Sequence, residues 1–127
     1  MRRLDSKQRV LLALYTEYQK DIPEFTRLDH EVLGLSRDVF HCAMKKLLDE
    51  EFIENAHLIW GEDRSIPLGV VLDVVKLTPS GIRYIEELFA LNRTLPGRDK
   101  VGAILTAAEA WDGEPLLTWI QGIFREL

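Results

Sequence analysis

Three histidines and one cysteine are the side chains here best suited to catalysis or metal binding: His30, His41, His57 and Cys42. No two of the histidines stand in an HExxH frame. Cys42 directly follows His41, but neighbouring side chains on a helix point about 100° apart, so adjacency makes no Cys/His catalytic pair. A lone helical cysteine reads as a small core residue. The glycines fall at turns and helix ends, and no phosphate-cradling loop can be drawn through them. The expectation is a protein that is not an enzyme and takes no metal, cofactor or small-molecule ligand.

The second chemistry is phosphate binding. Arg37, His41, Lys45 and Lys46 fall in one helical stretch, and Arg64 stands at the tip of a later turn. On a helix followed by a hairpin these are the side chains that would meet double-stranded DNA, the early ones at base edges and the others at phosphates. The local charge argues the other way. From Arg37 to Glu51 there are 3 basic and 4 acidic side chains, and Glu62 and Asp63 precede Arg64. Over the whole chain 16 Lys and Arg face 21 Asp and Glu, a net charge of −5, which disfavours a polyanion unless a basic patch is local.

The third chemistry is burial. Near the C-terminus Trp119, Ile120, Ile123, Phe124 and Leu127 lie within one short stretch, together with Leu116 and Leu117. One helical face cannot hold them all. The remainder would form an apolar patch that a partner must cover. A homodimer through the C-terminal helices is the first partner expected, and a heterologous protein the second.

These residues need elements to position them. Asp5 to Lys20 reads as a helix with Leu11, Leu14, Tyr15 and Tyr18 on one stripe, widened by Val10; Asp5 and Gln8 form a capping box. Lys7, Arg9, Glu17 and Lys20 lie off the stripe and are expected in solvent. Pro23 ends the run. A short helix over 26–33, capped by Thr26, should turn Leu28, Val32 and Leu33 inward and end at Gly34 in the left-handed conformation. Ser36 caps the next helix, Arg37 to Asp49, and Leu35 and Phe40 have the spacing of a hydrophobic staple. Phe40, Ala43, Met44, Leu47 and Leu48 are its core positions. Arg37, Asp38, His41, Lys45 and Asp49 belong on its outer side, with Lys46 near the edge.

Phe52 to Trp60 reads as a strand with a bulge or twist near Asn55. A charged turn from Gly61 to Gly69 follows, then a return strand over 70–77 rich in β-branched residues. Thr78-Pro79 opens another helix, with Ile82, Ile85, Leu88 and Phe89 inward, and Gly81 reads as a packing glycine. After the break at Pro96-Gly97, residues 98–111 read as helical, and Pro115 opens the last helix.

The predicted class is α+β, mostly α: a winged helix-turn-helix of three helices, a two-stranded wing and a fourth helix, followed by two C-terminal helices. Residues 1–92 would form that domain and 93–127 an extension for packing or dimerisation. No apolar run reaches the ~18 residues of a membrane span, so no membrane partner is expected. One cysteine and no signal-like N-terminus point to the cytoplasm.

The residues Leu35, Ser36 and Phe40, then Leu47, Glu50, Phe52 and Ile53, then Leu77, Thr78, Gly81, Tyr84 and Ile85 form a pattern over roughly 5–91. It resembles the YjcQ-like group of short winged-helix proteins of bacteria and their phages. The resemblance implies a winged-helix fold and a regulatory or mobile-element setting. It carries no catalytic residues, and the tail beyond Asn92 is longer than its pattern.

Overall fold

The computed structural model describes residues 3–63, 65–108 and 115–127. Helix α1, Ser6–Tyr18, is the axis of the fold and packs against α2 (Arg37–Asp49), α3 (Pro79–Leu88) and α5 (Pro115–Glu126). Its N-terminus is fixed by the expected reciprocal bonds: the Gln8 amide donates to Asp5 Oδ1 at 2.7 Å, and the Asp5 amide donates to Gln8 Oε1 at 2.9 Å. Every residue from Val10 to Glu17 is buried. The single stripe read from the sequence is therefore too narrow, because α5 covers the side that a lone amphipathic helix would leave wet. Two expectations change with it. Glu17 and Lys20 are not solvated but paired at 3.0 Å, with Glu17 wholly buried, while Tyr18 projects at 44% exposure from the last turn.

The expected second helix is reduced to one 3₁₀ turn, Phe25–Arg27, followed by irregular turns. So short a segment makes too few backbone bonds to offset helix nucleation, and it is held by burial of Leu28 and Leu33 instead. Gly34 has φ +65° as expected, and the Leu35 amide closes the turn on the His30 carbonyl at 2.9 Å. A Cβ at Gly34 would also press on Pro115 Cγ at 2.8 Å, so this glycine lets α5 approach as well as letting the chain turn.

Helix α2 has the predicted bounds, capped by Ser36 Oγ on the Val39 amide at 3.2 Å. The two strands that follow are each broken. Antiparallel β1 (Ile53–Glu54) and β4 (Lys76–Leu77) pair Ile53 with Leu77; β2 (His57–Ile59) and β3 (Gly69–Val71) pair Leu58 with Val70. Asn55 at φ +66° interrupts the outgoing strand where a bulge was expected. Residues 72–75 interrupt the return strand, and there Leu72 and Val75 bury while Val74 faces out. Helix α3 starts at Thr78 and Pro79 as read, its cap donated by the Gly81 amide at 3.1 Å. A Cβ on Gly81 would fall inside the van der Waals shell of the Phe52 carbonyl oxygen, the close packing expected of it.

Helix α4, Gly97–Ala108, and α5 share the core of the rest: Val101, Ile104, Leu116 and Ile120 belong to one cluster with Leu11, Met44, Leu47 and Ile85. Trp111 lies outside the described residues. The architecture of the described residues is α+β and mostly helical, five α-helices with two small two-stranded sheets, an order compatible with the winged-helix class. Among the described residues no helix is long and apolar enough to cross a membrane.

Candidate recognition face

Helix α2 turns Phe40, Ala43, Met44 and Leu47 into the core, which leaves Arg37, Asp38, Val39 and Lys46 exposed on its other side and Cys42 half-buried. The N-terminal turn of α1 and the loop between β2 and β3 rise on either flank. Together they enclose an open groove of about 480 Å³ lined by Lys7, Asp38, Val39, Cys42, Lys46 and Ile66, among others. Val39 and Ile66 are exposed apolar side chains at its rim, and Leu68 stands out beyond them at 64% exposure.

The cations of this face are partly spoken for. Lys45 Nζ lies 2.5 Å from Asp49 one turn away, and Lys7 Nζ lies 2.7 Å from Glu50 across the α1–α2 contact. The hydrogen bond to Glu50, against a smaller opposing effect of burial, holds the Lys7 ammonium above its ordinary value. Among the described residues Arg37 and Lys46 have no carboxylate partner within ion-pair distance. Arg64 lies outside the described residues.

His41 is where sequence and structure part. Its position on the helix put it among the solvent-facing residues, but it is buried, 7% exposed, and its Nδ1 lies 2.9 Å from the Pro67 carbonyl oxygen. The ribbon folds back over the middle of α2 and covers it, and helical spacing alone could not announce that cover. Buried as it is, His41 is not among the solvent-facing side chains of this helix.

Of the C-terminal residues expected at an interface, two are buried and three are partly buried against the core. Ile120 and Ile123 are buried in the core face of α5. Trp119 packs on the core, donates its indole N–H to the Ala13 carbonyl at 3.3 Å and lies under the Arg27 guanidinium at 5.7 Å. Phe124 and Leu127 are half-buried against the same core, with Arg98 stacked 4.4 Å above Phe124. Glu126 is paired with Lys20 and with Arg27, which ties the last turn of α5 to the end of α1. The Lys20 ammonium, chiefly by its hydrogen bond, holds the Glu126 carboxyl below the ordinary carboxylate range. The exposed apolar patch that the sequence suggested on this helix is thus largely covered by α1 and α4.

Of the residues lining the groove, the sequence singles out Lys46 alone as a contact; Lys7, Val39 and Ile66 are among those it misses. Val39 carried a signal, as an apolar residue amid Arg37, Asp38 and His41 on the charged side of its helix. Lys7 and Ile66 carried none, because they reach α2 from distant elements. Among the described residues, no three His, Cys, Asp or Glu side chains gather as a metal would require. No family model, curated protein or solved structure matches the chain.

Proposed function

We propose that this chain is a non-enzymatic regulatory protein on a winged-helix scaffold, with α2, the β2–β3 ribbon and the first turn of α1 forming its recognition face. In the scaffold's terms, α2 is the recognition helix and the ribbon the wing. Its partner, on this reading, is a protein. The observation that carries this is the groove itself: exposed Val39 and Ile66 at the rim, beside lysines already neutralised by Asp49 and Glu50. An apolar strip with balanced charge complements another protein surface, where charges are depleted from the buried centre. It complements a polyanion poorly.

Duplex DNA is the second reading, favoured by Arg37 and Lys46, whose charges have no carboxylate partner among the described residues. Two such cations would release few counterions. The slope of log K against log salt would be about −2, where a protein making about 6–10 phosphate contacts shows about −5 to −9.

One set of titrations separates the readings. Peptides selected from a displayed random library against the folded chain should bind with apolar anchors. They should lose affinity on Val39→Asp and Ile66→Asp, and keep it on Arg37→Ala with Lys46→Ala. Peptides whose binding ignores Val39 and Ile66 would overturn the protein reading. Random-sequence duplex DNA, followed by fluorescence anisotropy at low salt, should show little binding. Tight duplex binding lost on Arg37→Ala with Lys46→Ala would put DNA on this face instead.

A further inference from the structure

We propose that His41 is the latch that sets the ribbon against α2 and so gives the groove its far wall; it is a positioning residue for the recognition face. The inference rests on that face being the functional one.

Pro67 is buried and, like any proline, has a carbonyl acceptor but no N–H. A buried carbonyl needs a donor, and the His41 ring supplies it through Nδ1 at 2.9 Å. The bond fixes the chemistry of the ring: the proton must sit on Nδ1, because a nitrogen bearing only a lone pair would face a carbonyl oxygen. A ring protonated on both nitrogens makes the same bond.

The position of this bond gives it leverage. The β2–β3 ladder is not continuous with β1–β4, since Asn55 and residues 72–75 interrupt the two strands at the ribbon's base. Ladder bonds therefore do not carry the orientation of the ribbon from the body of the fold. Near the ribbon's tip, the Leu68 amide donates to the Ile59 carbonyl at 2.7 Å and Pro67 is latched to α2. Ile66, the ribbon's contribution to the groove, is the residue before Pro67. On the helix, Val39 and Cys42 flank His41 at two positions before and one after. Their side chains point about 200° and 100° away from the His41 ring, so the ring lines neither wall; it holds the ribbon at Pro67, one residue from Ile66.

The first test uses the unaltered protein. Long-range ¹⁵N–¹H correlation of the His41 imidazole should find a proton on Nδ1 that exchanges slowly with solvent. A neutral ring with its proton on Nε2 alone would overturn the proposal. The second test compares His41→Leu with His41→Asn, whose amide N–H stands near the place of Nδ1. In His41→Leu the Leu68 amide should exchange about two- to tenfold faster, the worth of one ordinary hydrogen bond, while amides in the middle of α1 are unchanged. His41→Asn should restore much of that protection. Unchanged Leu68 exchange in His41→Leu, or equal losses in both variants throughout the chain, would show that the ring only fills space. Neither readout needs a partner. If both hold while Val39→Asp and Ile66→Asp leave peptide binding untouched, the recognition reading fails and the latch stands.

Discussion

The two ends of the molecule treat charge and apolar surface in opposite ways. Around α1, α3, α4 and α5 some charged groups are buried and joined: Tyr15 Oη donates to Glu86 Oε2 at 2.9 Å, and Lys100 reaches the same carboxylate at 2.8 Å. Glu17 lies wholly inside, receiving the Glu24 amide at 2.8 Å and Lys20 at 3.0 Å. Apolar side chains there meet one another. On the α2–ribbon side the ion pairs are more exposed, Lys45 with Asp49 one turn away and Lys7 with Glu50 across the α1–α2 contact, and Val39, Ile66 and Leu68 project outward. A buried charge without partners costs far more than a surface one, so networks like that of Glu86 belong to a region that stays assembled. Exposed aliphatics cost little in the monomer and are available to a partner. The first region is joined internally; the second is the one that the proposed function leaves open to a partner.

The sharpest way to break this contrast is to truncate one residue from each side. Ile120→Ala removes a fully buried side chain and should cost about 2–5 kcal/mol in denaturant unfolding. Val39→Ala should stay within about 0.5 kcal/mol, as surface substitutions do. Similar losses at both positions would mean that the groove is part of the structural core.

A smaller effect tests the buried network. Burial first, and then the hydrogen bond to Glu86, push the Tyr15 hydroxyl well above its ordinary value of 10.0. The folded chain therefore keeps a proton that the unfolded chain loses from about pH 10 upward. The stability this contributes is whole below pH 10 and falls as pH rises beyond it, by at most about 1.4 kcal/mol per unit. Tyr15→Phe should cost about 1 kcal/mol at neutral pH and flatten that alkaline decline, measured by urea midpoints across the range. An alkaline decline unchanged in Tyr15→Phe would place its origin elsewhere.

The smallest expected effect lies on the α2–ribbon side. A double-mutant cycle on Lys45 and Asp49 should return a coupling of about 0.3–0.5 kcal/mol, the range of exposed pairs one helical turn apart, and it should fade with added salt. A coupling several times larger would mark the pair as structural and erase the distinction from Glu86.

Much of the backbone was legible because its signals are local. The Asp5–Gln8 capping box, Ser36, and Thr78 with Pro79 each specify a helix start through bonds spanning three residues or fewer, and no distant packing is needed to read them. Asn55 marked the strand break for the same reason. The segment 26–33 misled because its apolar spacing allows a helix, while its length cannot sustain one unless packing supports it. Glu17 and Lys20 misled because a polar residue off a stripe is solvated only if nothing else covers it.

The sequence by itself determined where most elements begin and end, that the chain is mostly helical with a small β ribbon, and which residues form the inner faces of α2 and α3. Only the tertiary structure decided what lies against each outer face. It turned the apolar C-terminal helix toward α1, brought Lys7 and Ile66 to α2, and laid Pro67 over His41. The reason is one of range. Capping and periodicity act over one or two turns of chain, whereas the burial of a given side chain is settled by elements tens of residues away, and helical spacing carries no record of them.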